Sequence, residues 1–163
     1  MQLFLKIKEC DVVSARGKRT VSLGISTAIG KQILKDFTFT LKRPNLLFST
    51  YGFEWETLTF SVTGFNVDLE RFPKGASYVE LLFGVVRFDF ETNSYFNVSA
   101  TPLIIERDFM GDSFSVAITE LPEGTGVLFA VARVAFYQRV NTVGYMLPGN
   151  GAFGLEIVEV EGL

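Results

Sequence analysis

Gly126-Val-Leu-Phe-Ala-Val-Ala-Arg-Val-Ala-Phe-Tyr-Gln-Arg-Val-Asn141 is the longest run in the chain able to bury both of its faces, and its reading decides the fold. Leu128, Ala130, Ala132, Val134, Phe136 and Val140 make one nearly continuous apolar face, whereas the other is apolar at Val127, Phe129 and Val131 and then turns mixed. A helix is the rival assignment, because alanines are frequent and a short apolar run is not settled by periodicity alone. The turn Pro122-Glu-Gly-Thr-Gly126, the Val and Phe enrichment and the lack of a single helical stripe favour a central β-strand. Arg133, Tyr137 and Arg139 share the face that turns mixed, which predicts that this end leaves the core for a surface or a subunit contact.

Outward from this strand, Tyr78 to Phe90 is a second two-sided strand, with Val79, Leu81, Phe83 and Val85 set against Leu82, Val86, Phe88 and Phe90, and with Gly84 marking a bulge or close backbone approach. Tyr95–Ser99, Pro102–Ile105, Ser113–Thr119, Val143–Leu147 and Phe153–Val160 are shorter strands between turn signals, the last with a register change that predicts a bulge. Glu54–Thr63 alternates cleanly, with Leu58, Phe60 and Val62 inward. Near the start, residues 2–8 and Thr20–Thr27 alternate as strands. A short helix over Ala28–Asp36 competes with a strand from Ile33 to Lys42, and the shared face of Ile33, Phe37, Phe39 and Leu41 favours the strand. Short strands, turns at roughly 8–12-residue spacing and no long helical pattern predict an all-β protein, an antiparallel β-sandwich or jelly-roll-like barrel in a single domain over residues 1–163.

A chain of 163 residues can build such a core without staples, and the single cysteine, Cys10, allows no internal disulfide. Its 17 phenylalanines make the expected core aromatic. The net charge of −3 is unevenly placed: residues 1–43 carry nine Lys/Arg against three Asp/Glu, and residues 44–163 six against fifteen. The amino terminus, broken by Lys6 and Lys8, lacks the pattern of a signal peptide, and no apolar run reaches the roughly 18 residues of a membrane-spanning helix. A cytoplasmic protein with no membrane association is the expectation.

From Gly75-Ala-Ser-Tyr-Val-Glu-Leu through Gly84-Val-Val-Arg-Phe-Asp-Phe-Glu to Val134-Ala-Phe-Tyr-Gln-Arg-Val-Asn, Tyr145, Leu147 and Asn150-Gly-Ala-Phe, the chain resembles a family of uncharacterised β-rich proteins from Bacteroidetes bacteria. The resemblance covers about residues 75–160 and rests on strand and turn patterns. It implies a shared fold and carries over no catalytic or ligand residues.

With no histidine, Ser-His-Asp and Cys-His machinery and histidine metal sites are excluded. Cys10 reads as a small half-buried thiol. Glu54 and Glu56 flank Trp55 on one strand, the placement of a solvated face rather than of two carboxylates facing across a glycosidase cleft. Glu106, Asp108 and Asp112 around Gly111 do not follow calcium-loop spacing. The glycines form no phosphate-cradling loop, and no cofactor is expected. The basic set Arg16, Lys18, Arg19, Lys31, Lys35, Lys42 and Arg43 is the leading candidate for contact with an acidic partner, with Arg133, Tyr137 and Arg139 as a second candidate contact. Its bland alternative is a solvated edge that resists aggregation.

These features favour a non-enzymatic structural or assembly protein that packs with copies of itself or a partner, with a bacteriophage or phage-like particle as a setting. A binding module that uses the basic part for nucleic acid or another polyanion is the alternative, and nucleic acid is the less favoured partner because Phe37 and Phe39, the aromatics nearest the cations, look internal. A carboxylate-dependent sugar hydrolase ranks third.

Overall fold

The structure is a computed structural model that describes residues 2–149 and 151–163. Three short helices, α1 (Gln2–Glu9), α2 (Val21–Ile25) and α3 (Ala28–Lys35), come first. Nine strands follow: β1 (Thr50–Glu54), β2 (Thr59–Thr63), β3 (Tyr78–Asp89), β4 (Ser94–Ser99), β5 (Leu103–Glu106), β6 (Ser113–Ala117), β7 (Val127–Val140), β8 (Val143–Met146) and β9 (Phe153–Val160). All strand pairs are antiparallel, in a six-stranded sheet and a three-stranded sheet of order β1-β2-β6. The molecule is all-β, as the sequence predicts.

The two long strands form the spine together. β3 and β7 pair from Tyr78 opposite Tyr137 to Phe88 opposite Val127. Each is lined on its other edge by two short strands placed end to end: β5 and β4 along β3, β8 and β9 along β7. Central position is why both sequences are apolar on two faces. At Gly84 an added Cβ would sit 2.8 Å from Ser99 Oγ and 2.9 Å from Val98 O, so glycine lets β4 approach. The predicted irregularity of β9 is a register shift opposite Ala130 and Val131.

On the inner face, Val79, Leu81, Phe83 and Val85 of β3 and Leu128, Ala130, Ala132, Val134 and Phe136 of β7 meet Phe60 and Val62 of the small sheet, all buried. Phe60 stacks on Phe83 with centroids 5.2 Å apart, and Phe53 closes on Phe83 at 5.0 Å. Burial of each such side chain contributes roughly 1.5–3 kcal/mol. Tyr51 of β1 donates its hydroxyl to Glu156 of β9 at 2.7 Å and ties the edge of the small sheet to the large one.

Residues 2–9 and 20–42 differ from expectation. Residues 2–8 are helical because Leu3 and Ile7, four apart, are the pair that is buried, while Phe4 and Leu5 stay exposed. Thr20–Thr27 holds α2 instead of a strand, with Thr20 as its N-cap accepting from Leu23 N at 3.2 Å. Thr27 caps α3 by accepting from Gly30 N at 3.0 Å, and the strand expected over Ile33–Lys42 is the end of α3 followed by a surface loop. Phe37, Phe39 and Leu41, expected on an inner strand face, are exposed. The helices pack through glycine: a Cβ at Gly24 would lie 1.9 Å from Ile7 O, and one at Gly30 would lie 2.1 Å from Gly24 O. Likewise Glu54–Thr63 is a hairpin and not one strand, with Leu58 at φ +52° in the turn between β1 and β2.

These helices cover part of the outer face of the large sheet. Leu3, Ile7, Ile25 and Leu34 pack with Ile157 and Val160 of β9 and against Val127, Phe129 and Val131 of β7. Lys35 pairs with Glu159 at 2.7 Å and Lys31 donates to Glu161 O at 2.6 Å, fastening α3 to the last strand and the residue after it. Among the described residues no helix is long and apolar enough to cross a membrane.

Candidate functional site

The part of the outer face that the helices do not reach is the first candidate. Strand pairing places Leu82, Val86, Phe88, Tyr95, Ile104, Phe153 and Leu155 on it. Leu82, Val86, Phe88 and Leu155 line a shallow groove of about 330 Å³ with Tyr95 and Arg133. Ile104, Phe153, Met146 and Tyr95 are large apolar or aromatic side chains exposed to solvent.

Beside the groove the same face becomes a ladder of charge and ring. Arg133 forms an ion pair with Glu80 on the diagonal across the two central strands, two residues from the Ala135 that lies directly opposite Glu80. Tyr137 stacks on Tyr78 at 5.1 Å with rings 4° from parallel. Arg139 holds both oxygens of Glu106, at 2.7 and 3.1 Å, and lies over the Tyr78 ring at 4.9 Å. The Glu106 hydrogen bond raises the Arg139 pKa, and burial, followed by the Glu80 charge, raises that of the Tyr137 hydroxyl. Arg133 Nε is buried and finds no acceptor among the described residues. The mixed end of the central strand therefore reaches the surface, with each arginine matched by a glutamate that linear reading did not connect to it.

A second candidate is a basic pocket of about 410 Å³ lined by Lys42, Arg43, Pro44, Asn45, Phe48, Arg71, Pro73 and Gly151. Arg43 is 5% exposed and spends its nitrogens on carbonyls: Nε on Leu46 at 3.1 Å, Nη1 on Gly151 at 3.3 Å and Nη2 on Glu70 at 3.3 Å. It also lies over the Phe136 ring at 4.7 Å. Glu70, also buried, turns its carboxylate to the amides of Phe48 and Ser49 at 2.8 and 2.9 Å. Burial pushes the Arg43 pKa down, the Glu70 charge opposes this, and the nearby Arg71 adds to it. Arg71 sits at φ +52° with its guanidinium over Phe48 at 4.5 Å.

The other basic residues singled out from the sequence do not converge on one groove. Arg16 and Lys18 are exposed in the loop between α1 and α2, and Arg19 donates to Glu9 O at 3.1 Å. Lys31 and Lys35 face β9 and the terminus, and only Lys42 and Arg43 share a cavity. That loop is organised by Asp11, which is buried and accepts from Val13 N, Ser14 N and Thr20 N at 2.9–3.0 Å. The Ser14 amide first, then those of Thr20 and Val13, hold its carboxyl down at about 2 against the cost of burial. Glu54 and Glu56 are exposed at a hairpin turn, and Cys10 is half-buried with its thiol toward Lys6 O. No family model matches the sequence, and neither a curated protein nor a solved structure is significantly similar to it.

Proposed function

We propose that this is a non-enzymatic structural protein that self-associates through the uncovered part of the outer face. The observation that carries this reading is one patch holding both a groove of apolar side chains and an array of two arginines and two glutamates. A two-fold contact brings a patch against its own copy, so it favours a surface whose charges sum to zero and whose apolar part can meet itself. Exposed aromatic and aliphatic side chains on a monomer are otherwise a solubility cost. A repeating particle such as a bacteriophage shell or tail is the setting that fits a small all-β unit of this kind.

Sedimentation velocity over a wide concentration range tests it. The wild-type chain sediments as a dimer or larger species. Tyr95→Asp with Ile104→Asp, both at exposed positions that leave the core untouched, returns it to monomer. A wild-type chain that stays monomeric at high concentration and low salt removes the proposal.

A further inference from the structure

The basic pocket has a charge balance that its own residues leave unsettled. Lys42, Arg43 and Arg71 bring three cations to one cavity, and the nearest buried acid, Glu70, has committed its carboxylate to two backbone amides. Among the described residues the ion pairs are Lys35–Glu159, Arg133–Glu80 and Arg139–Glu106, so none of the three pocket cations has a carboxylate within ion-pair distance. Phe48 lies under both guanidinium groups, 4.5 Å from that of Arg71 and 5.7 Å from that of Arg43, and holds like charges near each other. In a protein of net charge −3 this is a local excess of two positive charges around an accessible cavity. Arg71 moreover keeps a left-handed backbone that glycine would adopt more easily.

We propose that this pocket binds a small ligand through a phosphate group, either free phosphate or a phosphomonoester, with Arg71 and Lys42 as its direct contacts and buried Arg43 as the fixed charge behind them. A phosphomonoester close to doubly charged at neutral pH matches the excess of two positive charges, where a carboxylate would leave one uncompensated. Guanidinium presents paired donors to phosphate oxygens, and a volume of about 410 Å³ suits a small molecule more than a polymer segment. Pro44, Pro73 and the edge of Phe48 supply apolar walls for whatever the phosphate is attached to. This site stands apart from the self-association surface and does not depend on it.

The test uses the full chain, titrated with inorganic phosphate, phenyl phosphate and acetate in a low-salt buffer, with binding read by calorimetry and by the rise in Tm. Phosphate and phenyl phosphate bind and acetate binds far more weakly; tighter binding of phenyl phosphate identifies a phosphomonoester, and equal binding identifies the free ion. Arg71→Gly is the decisive variant. It relieves the left-handed backbone, so Tm without ligand holds or rises, while phosphate binding weakens by about tenfold or more, the loss of one charge-assisted contact. Arg16→Gln with Lys18→Gln, exposed cations elsewhere, leaves binding unchanged. No phosphate-dependent change in Tm or heat, acetate binding as tight as phosphate, or an equal loss in the Arg16/Lys18 variant overturns the assignment. Binding of a single-stranded oligonucleotide that Arg71→Gly abolishes, with no response to either small phosphate, overturns it as well.

Discussion

The two faces of the six-stranded sheet are built from alternate residues of the same strands, yet they end differently. Behind the inner face, Phe83 has Phe60 stacked on it and Phe53 beside it, and nothing of it reaches water. On the outer face, Phe88 has Phe90 at 4.6 Å and Tyr95 at 6.4 Å, but it lines an open groove and Tyr95 is itself mostly exposed. The small sheet closes one side of the molecule. Helices of five to eight residues close only part of the other. An apolar side chain on the inner face is explained by the packing of the monomer, whereas one on the uncovered outer face has no such packing partner among the described residues.

Substitutions along the two faces should separate them by size of effect. The largest is Phe83→Ala, expected to cost about 3–5 kcal/mol by chemical denaturation because the stacked core around it cannot collapse into the space. Phe88→Ala should cost less than half as much; equal losses would mean that the outer face is as closed as the inner one. Next is Gly24→Ala in the helical cover. A methyl group there meets the Ile7 carbonyl at 1.9 Å and must lift α2 off α1, an overpacking expected to cost about 1–3 kcal/mol. A neutral or stabilising effect would show that the cover yields easily.

The smallest effect is a change with pH that falls in the acid range. Asp11 has its carboxyl held at about 2, below its ordinary 3.8, so the folded state prefers the ionised form. Its contribution is complete above the ordinary carboxylate range and is lost as pH falls through that range toward about 2. The stability difference between wild type and Asp11→Asn should therefore shrink as the solution is acidified through that window. A difference independent of pH would mean that Asp11 acts only by shape.

The same contrast explains how much could be read in advance. The inner core was legible because β3 and β7 run for 12 and 14 residues with apolar side chains on alternate positions, and the turn before β7 and its Val and Phe content decide against the rival helix. The helical cover was not. Leu3, Leu5 and Ile7 alternate as a strand would, but Leu3 and Ile7 are also one helical turn apart, and eight residues are too few to separate the periods. The signals for the helices are local: Thr20 and Thr27 placed as N-caps, and Gly24 and Gly30 where helices touch. For the outer ladder, the break from apolar to mixed in the central strand pointed to Arg133, Tyr137 and Arg139. Their partners Glu80, Glu106 and Tyr78 depend on strand register, which the sequence does not state. The basic pocket was half legible, since Lys42 and Arg43 are adjacent in the basic part while Arg71 lies in the acidic remainder.

Methyl NMR of the wild-type chain over a dilution series tests most directly whether the uncovered face is where copies meet. The account predicts that Leu82, Val86, Ile104 and Leu155 shift with protein concentration while Val79, Leu81, Val85 and Val134, sealed on the inner face, do not. Methyl signals unchanged on both faces across the series, or shifts confined to residues away from the outer face, would contradict it.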